Sequence, residues 1–175
     1  MIVVSTLGNS GFIWIVITVI LAFTKRYREC AMVMAIALLL SLLLCNITLK
    51  NLVQRDRPFW IDEQVILKIK APKDYSFPSG HTFSSFAAAV VLFVYSRKMG
   101  IAALALALTI AFSRLYLFLH FPTDVLASVV LGSATAGLAV VLFRKTIRPA
   151  LQKAGFLDRQ VEATSEGGEN EPGND

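Results

Sequence analysis

Histidine and cysteine are both scarce in this chain of 175 residues: there are two of each, His81 and His120, Cys30 and Cys45. Two histidines cannot build a three-histidine zinc site. The acids Asp56, Asp62, Glu63 and Asp74 show no ligand spacing either, so the sequence argues against a metal centre. The cysteines sit in or at the edge of one apolar run. Fifteen residues of helix would hold them roughly 22 Å apart, too far to bridge, and they read as apolar filler. No glycine-rich nucleotide loop is present and no internal repeat is visible. The N-terminus lacks the basic region and cleavage site of a secretion signal, so the first apolar run reads as a retained span.

What the chain has instead is apolar length. It is 55% hydrophobic, with a mean hydropathy of +0.63, well above a soluble domain. Its net charge of +5 does not point to nucleic acid, because the charges stand at the ends of apolar runs as membrane-flanking residues do. A span needs about 20 apolar residues. Five runs qualify or nearly do: 7–24, 31–49, 82–96, 99–119 and 122–143. The third is the weakest, with Ser84 and Ser85 in its first turn. The expected fold is an all-α polytopic transmembrane bundle of about five spans. The link 51–77, with Phe59, Trp60 and Tyr75 among charges, is expected to lie in the membrane interface. Residues 1–158 would form the membrane-embedded domain. Residues 159–175, acidic, Gly-rich and nearly devoid of apolar residues, would form a disordered cytoplasmic tail.

Basic residues orient the spans. Lys25, Arg26 and Arg28, then Arg97 and Lys98, then Arg144, Lys145, Arg148 and Lys153 fall on one side by alternation, which should be cytoplasmic. Three polar islands then meet at the opposite face: Lys50-x6-Arg57-Pro58, Pro78-Ser79-Gly80-His81, and Ser113-Arg114-x5-His120-x3-Asp124. Lys50 and Arg57 are two helical turns apart and share a face if the helix continues to Pro58. Together they can grip two oxygens of one phosphate. Ser79 stands where an N-cap belongs, and a helix N-terminus seats phosphate. Gly80 lets an oxyanion approach the backbone, and His81 would point at the bound group. Asp124, one turn beyond His120, can accept one imidazole N–H and leave the other nitrogen as nucleophile. Arg114 lies inside an apolar run, where an unpaired charge costs at least about 2.5–3.5 kcal/mol, so it needs an anion or a wet cavity. Ser128, Gly132 and Ala136 form a small-residue stripe suited to helix packing, and Ser41 and Asn46 suit interhelical hydrogen bonds.

In this order the three islands resemble the signature of the type-2 phosphatidic-acid phosphatase superfamily, itself similar in its core to the vanadium haloperoxidases. The resemblance covers residues 8–145. It implies a lipid phosphatase working without metal or cofactor. His120 would attack phosphorus and form a phosphohistidine, supported by Asp124. His81 would protonate the leaving group and later help activate water. Lys50, Arg57, Arg114, Ser79 and the Gly80 backbone would hold the phosphate oxygens. Many members have six spans where five are counted here, and the sixth would precede residue 7. The family includes undecaprenyl-diphosphate, phosphatidylglycerophosphate and phosphatidate phosphatases, all carrying these motifs. A small single-domain member with an outward site suits undecaprenyl diphosphate, with the other two lipids as alternatives. The expected partners are the lipid phosphate and the cell membrane, with no nucleic acid. A reading from another class is a non-catalytic binder or transporter of anionic lipids, against which the complete His120–Asp124 pair argues.

Overall fold

The structure, a computed structural model, describes residues 11–61, 67, 69 and 71–153. Helix α1 (Phe12–Phe23) ends at a 3-10 turn, Lys25–Tyr27, that carries the first basic cluster. Helix α2 (Arg28–Ser41) runs on without a break into a π-helical stretch, Leu42–Leu49, and one further turn, α3 (Lys50–Val53). A short α4 (Pro58–Ile61) follows, then α5 (Gly80–Tyr95), α6 (Arg97–Tyr116) and α7 (Pro122–Leu142). No strand occurs among the described residues. The acidic tail and residues 62–66 of the interfacial link lie outside them.

The all-helical, membrane-spanning expectation is borne out. Among the described residues three apolar helical segments are long enough to cross a bilayer: Lys25–Ile61, Arg97–Tyr116 and Pro122–Lys153. The first and third expected spans appear as shorter apolar helices, α1 and α5. Their 12 and 16 residues reach about 18 and 24 Å at 1.5 Å per residue, against a hydrocarbon core of about 30 Å. Large apolar side chains face outward, as a bilayer requires: Phe23 is 84% exposed and Val130 is 67% exposed.

Helix α5 lies at the centre of the first of two compact units, Met1–Val140, and packs against α2 and α6. Its serines explain why a weak span is tolerated. Ser85 is buried and accepts a 2.9 Å hydrogen bond from the indole of Trp14 on α1, while Ser84 Oγ donates back to the Gly80 carbonyl at 3.0 Å. Two glycines set the helix spacings. A Cβ at Gly100 of α6 would come within 2.2 Å of the Phe93 Cα, and one at Gly132 of α7 within 2.5 Å of the Phe83 carbonyl oxygen. Neither distance is possible, so these helix pairs approach as closely as backbones can. The stripe of Ser128, Gly132 and Ala136 is buried, as helix packing requires. The second unit, Val141–Asp175, holds a π-helical stretch, Phe143–Ile147, and α8 (Arg148–Lys153), where the last basic cluster stands.

Candidate active site

Lys50 is aimed by the π-helical stretch. In an α-helix, residues five apart point about 140° away from each other, because each residue turns the helix by about 100°. A π-helix closes its hydrogen bonds five residues back, so positions five apart return to one face. Cys45 and Lys50 are both buried, and the Lys50 N–H bonds the Cys45 carbonyl in the π pattern. An α-helix would have turned one of the two toward lipid. The expectation that Lys50 and Arg57 share one continuous helix does not hold. The helix stops at Gln54, which is left-handed (φ 48°, ψ 41°) and donates its N–H to the Lys50 carbonyl at 3.1 Å. Pro58 therefore starts α4 rather than ending a helix.

Beyond that break, residues 54–57 run beside the loop that precedes α5. The Ser76 N–H donates to the Arg55 carbonyl at 2.8 Å, and Arg57 Nε donates to the Asp74 carbonyl at 2.7 Å. Tyr75 meets Trp60 edge to face at 6.4 Å, and Trp60 meets Phe59 at 5.9 Å. This aromatic group belongs to the segment expected at the interface.

His120 is held between α6 and α7, two residues after Phe118, which turns the chain in the left-handed region (φ 57°). Its Nδ1 lies 2.7 Å from the Ser76 carbonyl oxygen, which can only accept, so Nδ1 carries the proton and Nε2 keeps its lone pair. Asp124 was expected to receive that proton. Its Oδ2 instead stands 3.7 Å from Nδ1 and accepts from Ser76 Oγ at 2.5 Å and the Phe121 N–H at 3.0 Å. Its Oδ1 accepts from Arg55 Nη1 at 2.7 Å, and the Arg55 guanidinium also stacks on Phe121, 4.0 Å from the ring centre. Support of His120 by Asp124 thus passes largely through Ser76. On the other side of the imidazole, Nε2 lies 3.4 Å from Arg57 Nη1, which also donates to the Leu119 carbonyl at 2.8 Å. Burial, with the Arg57 and Lys50 charges beside it, pulls the His120 pKa down to about 4, against the opposing pull of Asp124.

Lys50, Gly80 and His81 line a cavity of about 440 Å³, together with Asn46, Ser84 and Asp74 and apolar side chains such as Ile15, Leu38 and Leu42. Polar and apolar walls meet there, as a phosphate joined to a lipid tail would need. His81 is within electrostatic reach of Lys50, Arg57, Arg114 and His120, so the three islands converge. Asp74 joins the cavity to the histidine cluster. It lines the cavity, and its two carboxylate oxygens contact Lys50 Nζ and Arg57 Nη2, the latter at 2.8 Å. Burial opposes its ionisation. The hydrogen bond and charge of Lys50 and the charge of Arg57 outweigh that and hold the carboxyl below its usual range.

Other expected residues take different parts. Ser79 occupies the N-cap position of α5, yet its hydroxyl meets Thr82 Oγ1 at 3.0 Å instead of capping the backbone. Gly80 faces Asn46, whose Oδ1 would stand 3.0 Å from an added Cβ, so this glycine admits a side chain of the second span as well as leaving backbone accessible. Arg114 is buried at the end of α6. Asn46 and Ser41, expected as interhelical bonders, line the cavity. Among the described residues no group of three His, Cys, Asp or Glu side chains is placed to hold a metal ion. Sequence reasoning missed Arg55, Asp74 and Ser76. The only available signal was their position: Arg55 lies inside the first motif, and Asp74 and Ser76 stand four and two residues before Pro78.

Residues 30–148 match the model of the PAP2 superfamily, and the chain belongs to that superfamily. It is 33% identical over 130 residues to an undecaprenyl-diphosphatase of Sulfolobus acidocaldarius, covering 74% of this chain and 63% of that protein. The chain thus spans somewhat less than two thirds of that relative's length. Its fold is similar to a solved transmembrane PAP2-type phosphatidylglycerolphosphate phosphatase from Bacillus subtilis, with a TM-score of 0.64 and 25% identity over 82% of this chain and 74% of that one. It is also similar to LpxE of Aquifex aeolicus, with a TM-score of 0.61 and 26% identity over 78% of this chain and 81% of that one.

Proposed function

We propose that this chain is a metal-independent lipid phosphatase that works through a phosphohistidine on His120. The observation that carries the reading is the state of His120: Nδ1 is tied to a carbonyl, and Nε2 is left with a lone pair beside Arg57. A nucleophile needs that arrangement, and a mere anion binder does not. In the first step Nε2 bonds to phosphorus as the bond from phosphorus to the leaving oxygen breaks, and His81 gives that oxygen a proton. In the second, water attacks phosphorus, His81 takes its proton, and the P–N bond breaks to release inorganic phosphate. Lys50, Arg57 and Arg114, with Ser79 and the backbone N–H groups at Gly80, stabilise the charge on the transferring group. Asp124 and Ser76 keep the imidazole in its reactive tautomer.

The substrate we favour is undecaprenyl diphosphate, hydrolysed at the extracytoplasmic face of the cell membrane. The name of the Sulfolobus relative supports it, and the basic clusters at 25–28 and 97–98 support the orientation. The Bacillus subtilis neighbour makes phosphatidylglycerophosphate the second candidate.

Phosphate release by the purified chain from a panel of lipid phosphates and diphosphates ranks these substrates. Rapid quench with labelled substrate should trap an acid-labile, base-stable phosphoenzyme. His120→Ala should lose the adduct and several orders of magnitude in turnover while lipid binding survives. Near-normal turnover in that variant would remove the mechanism.

A further inference from the structure

We propose that Asp74 determines specificity by standing in for the substrate. Its carboxylate takes the phosphate seat until substrate displaces it, so entry is restricted to groups with more than one negative charge. The proposal rests on the reading above, in which Lys50 and Arg57 hold phosphate oxygens.

The contacts are those a phosphoryl group would make. One carboxylate oxygen sits on Lys50 Nζ and the other on Arg57 Nη2, and both cations are buried. Among the described residues Asp74 supplies the carboxylate that both cations touch, since both oxygens of Asp124 are taken by Arg55, Ser76 and the Phe121 N–H. The backbone of Asp74 is pinned: its carbonyl accepts from Arg57 Nε, and two residues on, the Ser76 N–H donates to Arg55. The side chain itself is 53% exposed and lines the cavity. It can therefore swing out by rotation about its own bonds while the loop stays in place.

Charge decides what can displace it. The carboxylate carries one negative charge and is tethered, which gives it an effective concentration in the millimolar range or above. A phosphodiester also carries one charge and gains nothing by the exchange. A phosphomonoester carries about 1.5–2 charges at neutral pH and still offers two oxygens to the same cations. This matters in a bilayer, where phosphodiester lipids vastly outnumber any phosphomonoester. Two bare buried cations would be saturated by bulk lipid. A built-in competitor of single charge keeps the seat clear of it.

The test uses the full chain in neutral detergent micelles, dodecyl phosphate as substrate and didodecyl phosphate as a phosphodiester competitor. Wild type should be nearly insensitive to the diester, with a Ki about tenfold or more above the KM for the monoester. Asp74→Asn should lower that Ki about tenfold or more and lower KM as well, since a charge-assisted contact no longer competes. Lys73→Gln, in the same exposed loop, should change neither. Asp74→Asn with an unchanged diester Ki and a raised KM would overturn the proposal, making Asp74 a permanent support for the cations. Asp74→Ser is the second variant should asparagine disrupt folding. If neither neutral variant folds, wild type decides, and a diester Ki equal to the monoester KM refutes the idea. Lys50→Gln separates this proposal from its foundation. Retained turnover there removes the phosphate seat itself, whereas lost turnover with an unchanged diester Ki in the Asp74 variants removes the Asp74 proposal alone.

Discussion

The pKa of about 4 at His120 has a measurable consequence. Because the charged form is disfavoured, the imidazole is neutral above about pH 4 and becomes protonated only below it. At pH 5 roughly nine-tenths of such a histidine is neutral, against about 3% for one with the ordinary value near 6.5, a difference of about 30-fold in available nucleophile. The chain has two histidines, so His81→Gln leaves His120 as its only imidazole. Burial and the Asp124, Arg57 and Lys50 side chains set the His120 shift, and His81→Gln keeps all of them, so the titration should stay in place. Isotope-labelled histidine NMR across pH 3.5–8 reads the ring directly, with no substrate phosphate titrating alongside. The spectrum near neutrality should show a proton on Nδ1 and none on Nε2, and the titration midpoint should lie near 4. Replacing Arg57 by Gln should move the midpoint up, since one of the charges opposing protonation is gone. A midpoint near 6.5 would mean that His120 is solvated and that its pocket is not the low-dielectric, cation-flanked site described above. A proton on Nε2 at neutral pH would refute the tautomer argument outright.

Three further outcomes are expected. Ser76→Ala keeps the carbonyl that receives His120 but removes the 2.5 Å hydrogen bond to the buried Asp124 carboxylate, so kcat should fall about tenfold to a hundredfold with KM little changed. Gly132→Ala puts a methyl group 2.5 Å from the Phe83 carbonyl and should cost roughly 1–3 kcal/mol of stability, read as a lower melting temperature, whereas Gly137→Ala, with open space around it, should be harmless. In intact cells a membrane-impermeant thiol reagent should label Lys73→Cys and not Lys98→Cys, both exposed positions; the reverse pattern would place the site in the cytoplasm.

Much of the site was legible because its signal is a set of side chains at fixed spacings. Lys50, Arg57, His81, Arg114, His120 and Asp124 stand out against apolar sequence, and alternation of the spans brings them to one face. What escaped depends on the path of the backbone. The acceptor that orients His120 is a main-chain carbonyl, and every residue has one, so no residue type could announce Ser76. Arg55 and Asp74 act across two irregular segments lying side by side, where neither a period of 3.6 nor a period of 2 applies. The short link between Lys50 and Arg57 held another surprise. A spacing of seven suits a helix, and nothing in Asn51–Leu52–Val53–Gln54 marks a stop, yet Gln54 takes the left-handed turn usually left to glycine. The helices themselves were read closely, with boundaries mostly within a few residues, because long apolar runs bounded by charge leave few alternatives.

The π-helical stretch Leu42–Leu49 lets the second span carry one residue more than an α-helix would need without turning Lys50 off the cavity. Removing one residue from that stretch would restore ordinary α-helical winding while shortening the span by only about 1.5 Å, a mismatch a bilayer absorbs. The positions of Cys45 and Lys50 would then stand four apart, about 40° around an α-helix, so the lysine would stay on the cavity. The same deletion made in the α-helical part of the span, with no change of winding to absorb it, would turn everything beyond it by about 100° and carry the Lys50 ammonium onto the flank of the helix. In this span, then, an alignment gap of a single residue is neutral or disabling according to where it falls. Only the wide turns can lose a residue and keep the lysine aimed.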